Sequence, residues 1–147
     1  MKKSRSLNKY CSNYISKVLS SQKEHEYNTF FKSLFNNAKY EKIIEFNYYM
    51  LNEMGIIVYL ARIWQPHSAK LNLNGYLSTE NFDHQFTISK IEREIKLSYP
   101  TEKEINLLNI KNNEMVVIEK NKIFEKKNKL VRYEEVVFKT STYYYEG

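Results

Sequence analysis

Residues 91–146 read as one supersecondary unit, and no other stretch constrains the fold as much. A strand over Ile91–Leu97 leads through Tyr99-Pro100 into a short helix opened by Thr101. Thr101 and Glu104, three residues on, form a capping-box pattern in which each side chain satisfies an orphan backbone N–H, and a proline just before suits a helix entry. After an Asn-rich loop come a strand (Met115–Phe124), a charged turn (Glu125–Lys129) and a returning strand (Leu130–Phe138). Two apolar runs joined by so short a polar turn predict an antiparallel hairpin.

The rest of the composition agrees with a sheet. Thirteen Tyr and 8 Phe stand against 3 Gly and 2 Pro, which favours half-buried strands over flexible linkers. At 147 residues one domain is expected, long enough to bury a core. No segment reaches the ~18 to 20 consecutive apolar residues that span a bilayer, and no apolar run follows the basic start MKKSRSLNKY, so neither a membrane partner nor a signal peptide is expected. A single cysteine, Cys11, excludes an internal disulfide framework and fits a reducing, cytoplasmic setting. The net charge of +6 comes mostly from Lys scattered among Glu, as in EKNKIFEKKNK, the mark of a solvated hairpin face.

The first half predicts a similar order. Ile43, Ile44, Phe46, Met50 and Leu51 fall near a helical period, giving a helix over residues 39–52 that ends at Gly55 as its C′ residue. A strand (Ile56–Trp64), a turn (Gln65–Ser68) and a second strand (Lys70–Leu77) follow. Matching Val58, Leu60, Arg62 and Trp64 with Val116, Ile118, Lys120 and Lys122 gives an internal repeat offset by 58 residues. Upstream, residues 12–22 read as a strand, and Glu24–Leu34 as a helix with Tyr27, Phe30, Phe31 and Leu34 on one stripe. Along Ile56–Trp64 the side chains of Val58, Leu60, Arg62 and Trp64 share a face, and apolar residues on both faces make this strand central. Arg62 is the odd group there. Its guanidinium must find an anion, a carboxylate or water, because an unpaired buried charge is costly.

Four pieces of the sequence, the helix pattern TxxExxLLxI, the strand xVVIEKxxxF, VRYEEVVF and the tail KTSTYYYE, resemble the end of the UTRA effector-binding domain of GntR/HutC-type bacterial transcription regulators. The resemblance implies an α+β domain with a chorismate lyase-like fold. That means a mainly antiparallel sheet of five to six strands, helices packed on one face and two pseudo-repeated halves, spanning residues 12–147 after a disordered 1–11. It also implies ligand-binding positions. Relatives carry Arg-x-Arg on the strand where Arg62 and Trp64 stand. Tyr133 matches a retained pocket tyrosine whose preceding Glu is here Arg132. Lys139 begins the step where relatives read RGD, Tyr143 matches the late pocket tyrosine, and Tyr76 closes the returning strand. Implied partners are a small anionic metabolite (a sugar phosphate or carboxylate), a second copy of the chain as a homodimer, and DNA only through an attached or partner winged-helix module.

Other classes are weaker. His25, His67 and His84 are isolated, no GxGxxG, GxxxxGK[ST] or GxSxG occurs, and neither a cofactor nor a metal is expected. The stretch FNYYMLNEMGIIVYLARIWQ also resembles a GntR recognition helix and wing, which would make residues 1–70 a degenerate DNA-binding half; acidic side chains where phosphate contacts belong argue against it. A chorismate lyase-like enzyme needs a Glu beside its Arg that the sequence alone does not place, so no enzyme is expected.

Overall fold

The computed structural model of the protein describes residues 16–35, 39–66, 88–111 and 113–141. Its elements are β1 (Ser16–Glu26), α1 (Thr29–Leu34), β2 (Lys42–Leu51), β3 (Ile57–Pro66), β4 (Lys90–Ser98), α2 (Glu102–Leu108), β5 (Val116–Glu125) and β6 (Lys129–Lys139). The strands form one six-stranded sheet in the order β1-β2-β3-β6-β5-β4, with every neighbouring pair antiparallel. The expected α+β class, the strand count and the central place of β3 all hold.

Four local expectations are corrected. Residues 42–51 form a strand, not a helix. Ile44, Phe46, Tyr48 and Met50 are buried on one face while Asn47 and Tyr49 on the other are half-buried, a period of two that the accidental helical spacing concealed. Gly55 does adopt a positive φ of 79°, but in the β2–β3 hairpin loop rather than at a helix end. There the Asn52 side chain accepts from the backbone N–H groups of Met54 and Ile56. Next, β1 runs on to Glu26, and the helix begins only after Asn28, whose Oδ1 accepts the Phe31 N–H as an N-cap. Of the turn expected at Gln65–Ser68, Gln65 and Pro66 instead belong to β3 and pair with Ile44 and Ile43, while His67 and Ser68 lie outside the described residues. The strand expected at Lys70–Leu77 lies outside the described residues.

Around Thr101 the capping box forms as expected, its Oγ1 accepting from the Glu104 N–H and the Glu104 carboxylate accepting from the Thr101 N–H. The internal repeat is also present, with a different register. Each half runs strand, helix, strand, strand. Pairing across the sheet aligns Ser21, Asn47 and Arg62 with Glu94, Lys120 and Glu135, each pair 73 residues apart. The 58-residue offset had set β3 against β5; the fold sets it against β6. A pseudo-twofold axis therefore passes through the Arg62–Glu135 pair at the middle of the sheet.

Both helices lie on one face. Leu108 of α2 packs with Leu60, Ile118 and Val137, while Phe31 of α1 packs with Ile43 and Trp64. The other face carries the main core, with Phe46, Tyr59, Ile63, Val136 and Phe138 at its centre. That face also holds buried polar groups: Arg93 Nε donates to Asn121 Oδ1 at 2.9 Å, and Asn121 donates to the wholly buried Glu119. Phe46→Ala, in the core, is expected to cost ~3–5 kcal/mol. Ile95→Ala, at an exposed position of edge strand β4, is expected to cost under 1 kcal/mol. Urea midpoints of the two variants check the contrast.

Candidate functional site

Between the helices, the helix-bearing face of the sheet turns polar. One row across it reads Asn47, Arg62, Glu135, Lys120 and Glu94, and the next reads Glu45, Trp64, Tyr133, Lys122 and Glu92. A groove of about 290 Å³ opens over the first row. Ser20, Asn47, Arg62 and Glu135 line it from the sheet, Thr101, Lys103 and Glu104 from α2 and its cap, and Tyr49, Leu60 and Val137 form apolar wall. Arg62 is exposed rather than buried, and its guanidinium, expected to meet an anion, a carboxylate or water, lines the groove. Among the described residues it makes one hydrogen bond, Nε to Asn47 Oδ1 at 3.4 Å, and its Cζ lies 5.8 Å from the Trp64 ring centre.

Beneath Arg62 sits Glu45, only 6% exposed and surrounded by donors. Its Oε1 accepts from Trp64 Nε1 at 2.8 Å and lies 2.9 Å from His25 Nε2; its Oε2 accepts from Asn47 Nδ2 at 2.6 Å. Burial alone would push its pKa up. The bonds from Trp64, Asn47 and His25, with the Arg62 charge nearby, outweigh that and hold it at about 2. Trp64 is fixed on every side: it stacks on Tyr133 at 5.4 Å and meets the edges of Phe30 and Phe31 from α1. Burial, then the neighbouring Glu135 carboxylate, raises the Tyr133 hydroxyl to about 12, so it remains a neutral donor.

Of the residues expected to bind ligand, Arg62, Trp64 and Tyr133 come together here, with Trp64 and Tyr133 supporting the groove more than lining it. Lys139 lies on the same face four residues beyond Glu135, about 13 Å along β6, and borders a separate pocket with Lys111, Glu114 and Ser141. Tyr76 and Tyr143 lie outside the described residues. Arg132, in the place of the family's Glu, points to the opposite face from Tyr133. There it is buried beside Glu134 at 2.8 Å, an ionic contact whose N–H is not aimed at the oxygen. The sequence reading missed Glu45, Asn47 and Glu135. The polar–apolar alternation of EFNYYM would have exposed the first two had residues 42–51 been read as a strand.

The duplication supplies a second groove of about 360 Å³, lined by Leu34, Glu92, Arg93, Glu94, Lys120, Lys122 and Tyr133. Lys120, Lys122 and Tyr133 hold the places that Asn47, Tyr49 and Leu60 hold in the first. Among the described residues, no group of three or more His, Cys, Asp or Glu is arranged to hold a metal ion.

No protein-family model matches the chain, and no curated protein does. Solved structures do. The effector-binding domain of the B. subtilis trehalose repressor TreR superposes with a TM-score of 0.75 at 15% identity, over 90% of this chain and 96% of that one. The C-terminal domain of the Pseudomonas syringae histidine utilization repressor gives 0.72 at 12%, over 90% and 96%. The chain has the fold of GntR-type effector domains. The PhnF pair from Mycobacterium smegmatis shows which part is shared. The match spans 89% of the isolated PhnF effector domain, at a TM-score of 0.72 and 9% identity, but 60% of the longer PhnF structure. With β2 and β3 paired inside the sheet, a recognition helix and wing over residues 46–65 is ruled out.

Glu45 makes stability depend on acid. A carboxyl held near 2 in the folded chain and near its ordinary 4.5 unfolded stabilises the fold above pH 4.5, and that stability is lost as pH falls toward about 2. The stability difference between wild type and Glu45→Gln is therefore expected to be widest at neutral pH and to shrink between about 4.5 and 2. Urea titrations across that range test it; a difference constant with pH would refute the assignment.

Proposed function

We propose that this chain is the effector-sensing domain of a GntR/HutC-type transcription regulator and that the groove at Arg62 takes a small anionic metabolite, a sugar phosphate or carboxylate. The observation that carries the reading is the exposed Arg62 fork at the centre of the sheet, in a groove whose other polar groups suit a hydroxylated anion. Arg62 and Lys103 supply cations for the acidic group. Ser20, Asn47, Glu104 and Glu135 can donate to or accept from hydroxyls. The fold shared with effector domains of TreR and the histidine utilization repressor supports the same class.

Transmission follows from where the groove lies. Its walls come from the sheet on one side and from the start of α2 on the other, so a ligand touching both favours arrangements that hold them together. A winged-helix module, attached or separate, would read that change and carry it to DNA in the cytoplasm. Among the described residues no helix is long and apolar enough to cross a membrane.

A panel of sugar phosphates, amino acids and hydroxybenzoates tested by thermal unfolding is the direct experiment. A true ligand at 100 times its dissociation constant adds ~2.7 kcal/mol of stability. Arg62→Lys keeps the charge but loses the fork, and is expected to weaken that ligand by ~1–3 kcal/mol while leaving the unliganded melting point in place. A panel without any stabiliser, or full affinity in Arg62→Lys, would count against the sensor.

The sensor is further proposed to work as a homodimer. The observation behind this is β4, the edge strand among the described residues, which presents Ile95 and Leu97 at 41% and 61% exposure beside backbone groups that pair with no other described strand. Light scattering is expected to give twice the 17.7 kDa of one chain; a monomer at high micromolar concentration would overturn it.

A further inference from the structure

The orientation of Asn47 is dictated from below. Glu45, being ionised, can only accept hydrogen bonds, so the Asn47 amide must turn its Nδ2 toward Glu45 Oε2 (2.6 Å), where the same nitrogen also reaches Ser21 Oγ at 3.1 Å. Oδ1 is thereby left facing Arg62, and it accepts the guanidinium Nε–H. Glu45 cannot turn away to water. It is 6% exposed, and its second oxygen is held by Trp64 and His25. The Trp64 ring supplies another restraint, sitting under the guanidinium carbon at 5.8 Å.

We propose that Glu45 is the positioning residue of the Arg62 site: acting through Asn47, it occupies the Nε edge of Arg62 and leaves the terminal Nη1/Nη2 fork to take the ligand's anionic group end-on. This rests on the reading of Arg62 as the anion contact. It adds that the carboxylate works without touching ligand. Replacing Glu45 by Gln presents an N–H₂ to Asn47, which must then rotate and turn its own donor toward Arg62. Donor would face donor, and the guanidinium would swing free.

Nitrogen-15 NMR of the whole chain, with inorganic phosphate as the probe, tests the relay. The Arg62 Nε–H signal, assigned by its loss in Arg62→Lys, is expected to be sharp in wild type and broadened or lost in Glu45→Gln and in Asn47→Ser. The indole N–H of Trp64, the chain's one tryptophan, is expected to move in Glu45→Gln but to stay in place in Asn47→Ser. Phosphate affinity is expected to fall in Glu45→Gln by about the factor seen in Arg62→Lys, and the double variant to lose no more than Arg62→Lys alone, because the two act as a unit. A carboxylate with only a structural role would instead give additive losses and an unchanged Arg62 signal, and either result overturns the proposal. Should Glu45→Gln fail to fold, Asn47→Ser, at a half-buried position, carries the same cycle with Arg62→Lys. Phosphate binding that is absent in wild type or unaffected by Arg62→Lys would sink the anion reading itself, and the Arg62 signal in the unliganded variants separates that failure from failure of the relay.

Discussion

The two halves of this protein are joined along a single ladder, the antiparallel pairing of β3 with β6, and its register decides the rest. With Arg62 opposite Glu135, the row Ser21, Asn47 and Arg62 of one half falls in line with Glu135, Lys120 and Glu94 of the other, on the face that carries the helices. The apolar positions Tyr59, Ala61, Ile63, Val136 and Phe138 fall together on the opposite face. Because side chains alternate strictly along a strand, a slip of one residue would send the apolar set toward the groove and the charges into the core. The cost of that exchange is what specifies the pairing.

Duplication and divergence then share the helix face. Equivalent positions carry different chemistry: Arg62 in one half is Glu135 in the other, Asn47 is Lys120, Tyr49 is Lys122. The symmetric backbone thus frames two grooves of unlike character. On the helix-bearing face the first half places a buried carboxylate, Glu45, where the second half has Ile118. Burying it is tolerable because every direction of approach holds a donor, so desolvation is offset by bonds that also fix Trp64 and Asn47. The rings of Phe30, Phe31 and Tyr133 pack around Trp64, which donates to Glu45, linking packing at α1 to the electrostatics at Arg62.

Much of the architecture was legible in the chain itself. The Thr101–Glu104 cap, the β5–β6 hairpin and the central apolar strand each rest on local rules: side-chain reach across one helical turn, turn chemistry, and burial on both faces. Those rules operate within about ten residues and need no knowledge of the fold. Strand β2 escaped them, since the apolar residues Ile43, Ile44, Phe46 and Met50 satisfy a helical and a strand period over so short a span. Neighbouring strands on both sides settled the ambiguity by pairing its backbone. The repeat was legible as an order of elements but not as a register, because equivalent residues share almost no chemistry.

The sequence by itself determined the class of the fold, the strand that would be central and the presence on it of a lone arginine among apolar neighbours. Only the tertiary structure decided what that arginine meets. Asn47 and Glu135, 15 residues before it and 73 after, became its neighbours through two ladders whose registers depend on the whole sheet. A charge on a strand is set by its codon, whereas the side chains within hydrogen-bonding reach of it are set by long-range pairing, which no local pattern in the chain encodes.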